Sequence, residues 1–236
     1  MAHNRSLAES HIRVALLTTL LSTAMLFPSH AAADGGSSPV IARNLGEWSV
    51  RWWQWALAVP KPANPMLDTT GAACDTNQRG PVWFLAGFFG GSSTPIERKC
   101  NLPKRKYILF PVANAIWVQT PGDDPNFTED DYRRLASDFL PPSVGGDLEA
   151  TLDGKPIVYS PHTPITRTQS PVFTANFPDD NVFGVAADQL TGFPIVSDGW
   201  WVLLPPLSPG EHVLHFRAAT TQDITYRLMV GNRHDD

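Results

Sequence analysis

Proline and glycine, 22 and 17 residues respectively, punctuate this sequence so densely that most of it is cut into short runs. Short apolar runs bounded by turn residues read as strands. Trp200 to Leu204 is such a run, Pro205 to Gly210 a turn region, and Glu211 to Arg217 a returning strand with His212, Leu214 and Phe216 on one face. The last run places Ile224, Tyr226, Leu228 and Val230 together. Upstream, Leu148, Ala150 and Leu152 alternate with polar neighbours and lead into Asp153-Gly154, a type I′ hairpin signal. Pro81 to Phe89 and Tyr107 to Val118 are continuously apolar, as strands covered on both faces are, although Pro111 demands a bulge, a bend or an edge position. Ser170 to Phe177 supplies another strand. The expected fold class is mainly β: a β-sandwich of jelly-roll or immunoglobulin-like kind.

Two segments break the β pattern. Asn44 and Glu47 have capping-box spacing, and Glu47 to Val59 contains no Gly or Pro until Pro60 stops it, which predicts a helix packed against the sandwich. On that helix Leu45, Trp48, Trp52, Trp55, Ala56 and Val59 share a face, and Trp53 points off it. Thr128 followed by Glu129, Asp130 and Asp131 predicts a second, short helix to about Leu140, with acidic groups at its positive end. Residues 60–80 are rich in Pro, Gly and polar residues and read as an irregular connection.

The first 33 residues read as a secretory signal peptide. Arg5, His11 and Arg13 precede the apolar run Val14 to Phe27, and Ala31-Ala32-Ala33 offers small residues for cleavage before Asp34. A spanning helix needs about 20 apolar residues, more than this run holds, so no transmembrane anchor is expected in the mature chain, residues 34–236, which reads as a single β-rich domain. Loss of Arg5, Arg13 and Glu9 leaves the mature chain slightly more acidic than the whole, whose net charge is -5. A nucleic-acid binder carries the opposite sign. With export comes an oxidising compartment, so Cys74 and Cys100, the two cysteines of the chain, are expected to pair. The destination is periplasmic or extracellular.

The segments EWSVRWWQWALAVP, NPMLDTTGAAC, GPVWFLAG, ATLDGKPI, SPVF and PLSPGEHVLHF, in this order, resemble a family of exported bacterial proteins of uncharacterised function. The resemblance implies export and one shared fold, and it supplies no catalytic residues. Lys104-Arg105-Lys106 is more basic than that family's turn at the same place.

Aromatic residues dominate the candidate chemistry. Trp48, Trp52 and Trp55 form a core stripe, whereas Trp53 must meet a second layer, a partner or a ligand. Trp200 and Trp201 put one ring on each face of a strand. The candidate ligand-binding residues are therefore Trp53, Trp201 and Asp68. Of the seven histidines, His212 and His215 leave opposite faces of one strand and make poor co-ligands, and neither a G-x-S-x-G elbow nor an H-E-x-x-H pair occurs. Asp123, Asp124, Glu129, Asp130 and Asp131 match no EF-hand spacing and are explained by capping and solvation. The basic run Arg98, Lys99, Lys104, Arg105 and Lys106 reads as a solvated loop. No metal or cofactor is expected. These features point to a non-enzymatic binding or structural module for a glycan or another envelope component. The alternative is a carboxylate-based polysaccharide hydrolase or lyase, with Asp68, Glu149, Asp153 and Asp198 as the carboxylates flanking strands.

Overall fold

The computed structural model describes residues 44–92, 94–140, 146–157, 165–219 and 222–231; the expected signal peptide and its cleavage site lie outside them. In chain order the elements are helix α1 (Leu45–Leu57), strands β1 (Val82–Phe84), β2 (Ile96–Pro103) and β3 (Tyr107–Val118), and helix α2 (Glu129–Asp138). Strands β4 (Leu148–Leu152), β5 (Lys155–Pro156), β6 (Thr166–Gln169), β7 (Ile195–Leu204), β8 (Gly210–Ala218) and β9 (Gln222–Gly231) follow. The described strands form two mixed sheets of a β-sandwich, ordered β1-β3-β7-β6 and β2-β9-β8-β4-β5. β1 runs parallel to β3 and β2 parallel to β9, while the other pairs are antiparallel.

Alternation in β9 buries Ile224, Tyr226, Leu228 and Val230, and β8 buries Leu214 and Phe216 opposite them on the same sheet face. Their core partners across the sandwich are Ile108, Phe110 and Val112 of β3 with Val202 and Leu204 of β7; the Phe110 and Phe216 rings stand 5.0 Å apart. Burying rings of this size dominates the hydrophobic driving force. Asp153 and Gly154, with φ of 51° and 74°, make the predicted turn between β4 and β5.

Pro111 produces a bulge. The register of β3 on β7 shifts between Pro111 and Ala113, paired with Trp201 and Trp200 respectively. The shift exchanges the faces of everything downstream. Ile108, Phe110 and Val112 face the second sheet and are followed on that side by Ala113, Ala115 and Trp117, while Asn114, Ile116 and Val118 join the side of Leu109.

That other side carries α1. Asn44 Oδ1 accepts from Glu47 N at 2.9 Å, and Trp48, Trp52 and Trp55 are buried against Leu109, Ile195 and Trp201. Helix α2 packs on β3 and β7 of the four-stranded sheet. Its Tyr132 stacks on Trp117 at 5.0 Å, and a capping box between Thr128 and Asp131 fixes its start.

The disulfide Cys74–Cys100, with Cα atoms 5.8 Å apart, staples the irregular 60–80 connection to β2. In the chain-entropy description, closing a loop of this length stabilises the fold by about 3.5 kcal/mol. Gly71, at φ +92°, lies so close to β2 that a Cβ there would stand 2.1 Å from Lys99 O, and Lys99 N donates to Thr70 O at 2.9 Å.

Three expectations are corrected. Pro81 to Phe89 is a strand over Val82–Phe84 alone; from Leu85 the chain leaves the sheet. Ser170 to Phe177 is not a strand: β6 precedes it, and Phe173 keeps a single bridge to Ile195. Arg98 and Lys99 belong to β2 rather than to a solvated loop, and Arg98 is buried. No helix among the described residues is long and apolar enough to cross a membrane.

Candidate binding site

The departure of the chain at Leu85 creates the most distinctive site. Leu85 N makes the last bond to β3, at Leu109 O (3.0 Å), and Leu85 O accepts from Trp52 Nε1 at 2.9 Å. Beyond that point the backbone is held by side chains from distant strands. Arg98 Nη1 donates to Ala86 O (2.6 Å) and to the Tyr226 hydroxyl (2.6 Å), and Gly87 O accepts from both Nη atoms at 3.3 Å. The Tyr226 hydroxyl accepts from Ala86 N at 3.1 Å, and Phe88 N donates to Gln222 Oε1 at 3.1 Å. Gln222 Nε2 donates in turn to Val112 O, beside the bulge. Phe89 N donates to Met66 O at 2.9 Å. The bonds to the backbone of Ala86, Gly87, Phe88 and Phe89 satisfy groups that a continuing strand would have paired in a ladder.

Between this segment, α1 and the downstream half of β3 lies a cavity of about 340 Å³, within the range of small-molecule sites. Trp52, Trp53 and Met66 line it from the N-terminal part, Gly87, Phe88, Phe89 and Gly90 from the departing segment, and Asn114, Ala115 and Ile116 from β3; Phe139 and Phe183 complete it. Among the described residues no lining side chain is charged. Phe139, at the C-terminal end of α2, is 63% exposed.

Trp53 is not an open platform. It is 4% exposed, meets Trp52 edge to face at 4.9 Å, and shares a buried cluster with Phe173, Ala175, Phe177 and Val182 of the irregular segment before β7. Its Nε1–H has no acceptor among the described residues, and neither does Asn114 Nδ2 or Trp201 Nε1. Trp201 is fully buried against Trp52 and offers no free ring face. A Cβ on Gly199 would stand 2.6 Å from Trp201 Nε1 and 2.9 Å from Asn114 Cβ, so Gly199 is what lets the indole lie beside Asn114. Trp53 therefore reaches the cavity, and Trp201 stands in the core behind it.

Asp68 lies elsewhere and is committed to its own loop. Its carboxylate accepts from Thr70 N (2.7 Å), Thr70 Oγ1 (2.8 Å) and Ala73 N (2.8 Å). Partial burial works against its charge, yet the bonds from Ala73 and Thr70 outweigh it and hold the carboxyl below its ordinary range. The other candidate carboxylates are equally engaged. Glu149 pairs with Arg217 at 2.9 Å, Asp198 with Arg167 at 2.9 Å, and Asp153 with His212 at 2.7 Å. In the acidic run, Asp123, Asp124 and Asp131 accept from neighbouring backbone N–H groups. Among the described residues no group of three or more His, Cys, Asp or Glu is placed to hold a metal ion.

His212 and Asp153 give a measurable signature. Burial of the imidazole opposes its charge, but the bonds to the Asp153 carboxylate and Ser208 carbonyl prevail and raise its pKa, while the bonds from His212 and Val213 lower that of Asp153. A raised histidine contributes stability below its unfolded pKa of about 6.5 and loses it as pH rises through the folded value. The lowered carboxylate contributes above its unfolded value of about 3.9 and loses it as pH falls through the folded one. The pair is thus strongest in the window between the two. Ring-proton NMR should place the His212 titration above 6.5, and Asp153→Asn should bring it down; a wild-type value at or below the ordinary one contradicts the pairing.

Arg98, Tyr226, Gln222 and Asn114 were missed as site residues. A signal for Arg98 did exist: Ile96, Cys100 and Leu102 alternate with Glu97, Lys99 and Asn101, and that period of two puts Arg98 on the buried face. Comparison with protein-family models, with curated proteins and with solved structures finds no match for this chain.

Proposed function

We propose that this chain is an exported, non-enzymatic binding module, released from a signal peptide at residues 1–33, and that its ligand occupies the cavity between α1, β3 and the Leu85–Gly90 segment. One observation carries the reading: the aromatic helix and the departing segment wall an open, mostly apolar cavity whose described lining carries no charge and includes an amide at Asn114 and an exposed aromatic ring at Phe139. Apolar concavities with few polar groups are the usual form of small-molecule sites. A glycan or another envelope component is the ligand class that export brings within reach. The disulfide and the resemblance of the sequence segments to exported bacterial proteins support that setting. Hydrolysis of a polysaccharide would call for two carboxylates free to act about 5–9.5 Å apart. Asp68, Glu149, Asp153 and Asp198 are instead each tied to a cation or to backbone N–H groups.

The test is a small-molecule thermal-shift screen on the wild type and on two variants, Ile116→Trp, which fills the cavity, and Phe139→Ala, which removes the exposed ring. A ligand held at 100 times its Kd stabilises the folded chain by about 2.7 kcal/mol. Compounds that stabilise the wild type should lose most of that effect in Ile116→Trp and part of it in Phe139→Ala. Stabilisation that is equal in all three proteins places the binding site elsewhere.

A further inference from the structure

We infer that the ligand presents an apolar aromatic ring to Phe139, and that Phe139 is the side chain that selects it; this rests on the cavity being the binding site. Other rings of the lining are occupied by one another. Trp53 meets Trp52 edge to face at 4.9 Å, and Phe89 meets Phe183 in the same way at 5.4 Å. Phe139 enters no ring pair among the described residues, and apart from Gly90 it is the one exposed member of the lining among them.

The neighbours of Phe139 in the chain build this exposure in. Ser137 Oγ donates to Asp198 Oδ2 at 2.8 Å, Leu140 shares a buried cluster with Ala113 and Ala218, and Leu140 O accepts from Arg167 Nη2 at 3.0 Å. The chain is thus fixed two residues before Phe139 and one residue after it. The ring between these anchors is presented at the open side of the cavity by a backbone already ordered, so a ligand that packs on it pays little for ordering the chain.

The lining then decides what packs there. A sugar lies on a phenyl ring through its C–H face, but its hydroxyls need partners, and the described lining offers one polar side chain, Asn114. An alkyl chain needs no partners and gains from buried area alone. An aromatic ring gains from the same area and, in addition, from offset or edge-on contact with the one ring that has no aromatic neighbour.

The experiment compares 2-naphthol with decahydro-2-naphthol, which share a carbon skeleton and a hydroxyl and differ in their aromaticity, and adds maltotriose as the sugar. Each is titrated at neutral pH into 15N-labelled wild type and Phe139→Leu, following the backbone amides of Gly87, Gly90 and Ile116. Leucine keeps an apolar side chain and removes the ring, at an exposed position where the fold tolerates the change. The wild type should bind 2-naphthol about two- to twelvefold more tightly than its saturated form, the added affinity of an aromatic pair. Phe139→Leu should abolish that preference by weakening 2-naphthol alone. A preference that survives in Phe139→Leu overturns the role of Phe139, and equal binding of the two alcohols by the wild type overturns the aromatic class. Binding of maltotriose at the cavity in place of 2-naphthol overturns the class as well. So does 2-naphthol that moves no cavity resonance, and the cavity reading falls with it only when the screening hits stabilise Ile116→Trp as much as the wild type.

Discussion

Arg167→Ala should lower the stability of this protein by about 3–5 kcal/mol, the cost of leaving a buried carboxylate without its counter-charge. Asp198 is 1% exposed in the middle of β7. Arg167, on neighbouring β6, reaches it with two parallel bonds, Nε to Oδ1 at 3.1 Å and Nη2 to Oδ2 at 2.9 Å. The same guanidinium donates to Leu140 O at 3.0 Å and lies 4.6 Å from the centroid of the Trp200 ring. Ser137 of α2 donates to Asp198 Oδ2 at 2.8 Å, so one carboxylate joins α2, β6 and β7. Its bond to Asp198 raises the pKa of Arg167 against the opposing effect of burial. Urea unfolding gives the measurement. Replacing both partners, as Arg167→Met with Asp198→Leu, should recover much of the loss, since apolar substitutes of similar size remove the buried charge altogether. A single-variant loss below about 1 kcal/mol, the size of an exposed pair, would show the network to be surface-like.

Trp52→Ala should cost a similar 3–5 kcal/mol by opening a cavity in the helix-facing core. Trp52 is 1% exposed, touches Trp53, Trp55 and Trp201 edge to face at 4.9, 5.9 and 5.4 Å, and donates to Leu85 O. Its loss also strands that carbonyl at the point where β1 ends. Trp53→Ala should destabilise on the same scale, because its ring is 4% exposed within the same core cluster. Only as a ligand or partner platform would Trp53 tolerate Ala with almost no loss of stability. Thermal unfolding of the two variants separates the readings: a chain of this length shifts by roughly 2–4 °C per kcal/mol. An unchanged midpoint for Trp53→Ala would return that residue to the surface.

The contrast shows what the sequence could and could not convey. The period of two in β9 and β8, the Asp153-Gly154 turn, the acidic start of α2 and the pairing of Cys74 with Cys100 are each set by neighbours or by compartment, and all were legible. A helical wheel gives the direction of Trp53 relative to the stripe but not what stands there; residues as distant in sequence as Phe89 and Phe183 line the same cavity. Leu85 to Phe89 is apolar enough for a strand. It fails to be one because its backbone partners are the side chains of Arg98, Gln222 and Tyr226, which no local pattern reveals. The cavity inherits that opacity. Its wall is an apolar run that is not a strand, and Asn114 faces it only because the bulge at Pro111 exchanges the two sides of β3.

The place of β9 in its sheet has a further consequence, for the order in which the molecule can be built. β9 is the last of the described strands, yet it lies between β8 and β2, and Ile96 to Pro103 match Ile224 to Gly231 residue by residue. Until the final strand is synthesised, β2 lacks the neighbour that pairs along its whole length, and the faces of Phe110 and Val202 lack the cover of Tyr226 and Leu228. Such distant pairings are slow to close. The interior therefore cannot shut until residues 222–231 are available to pair.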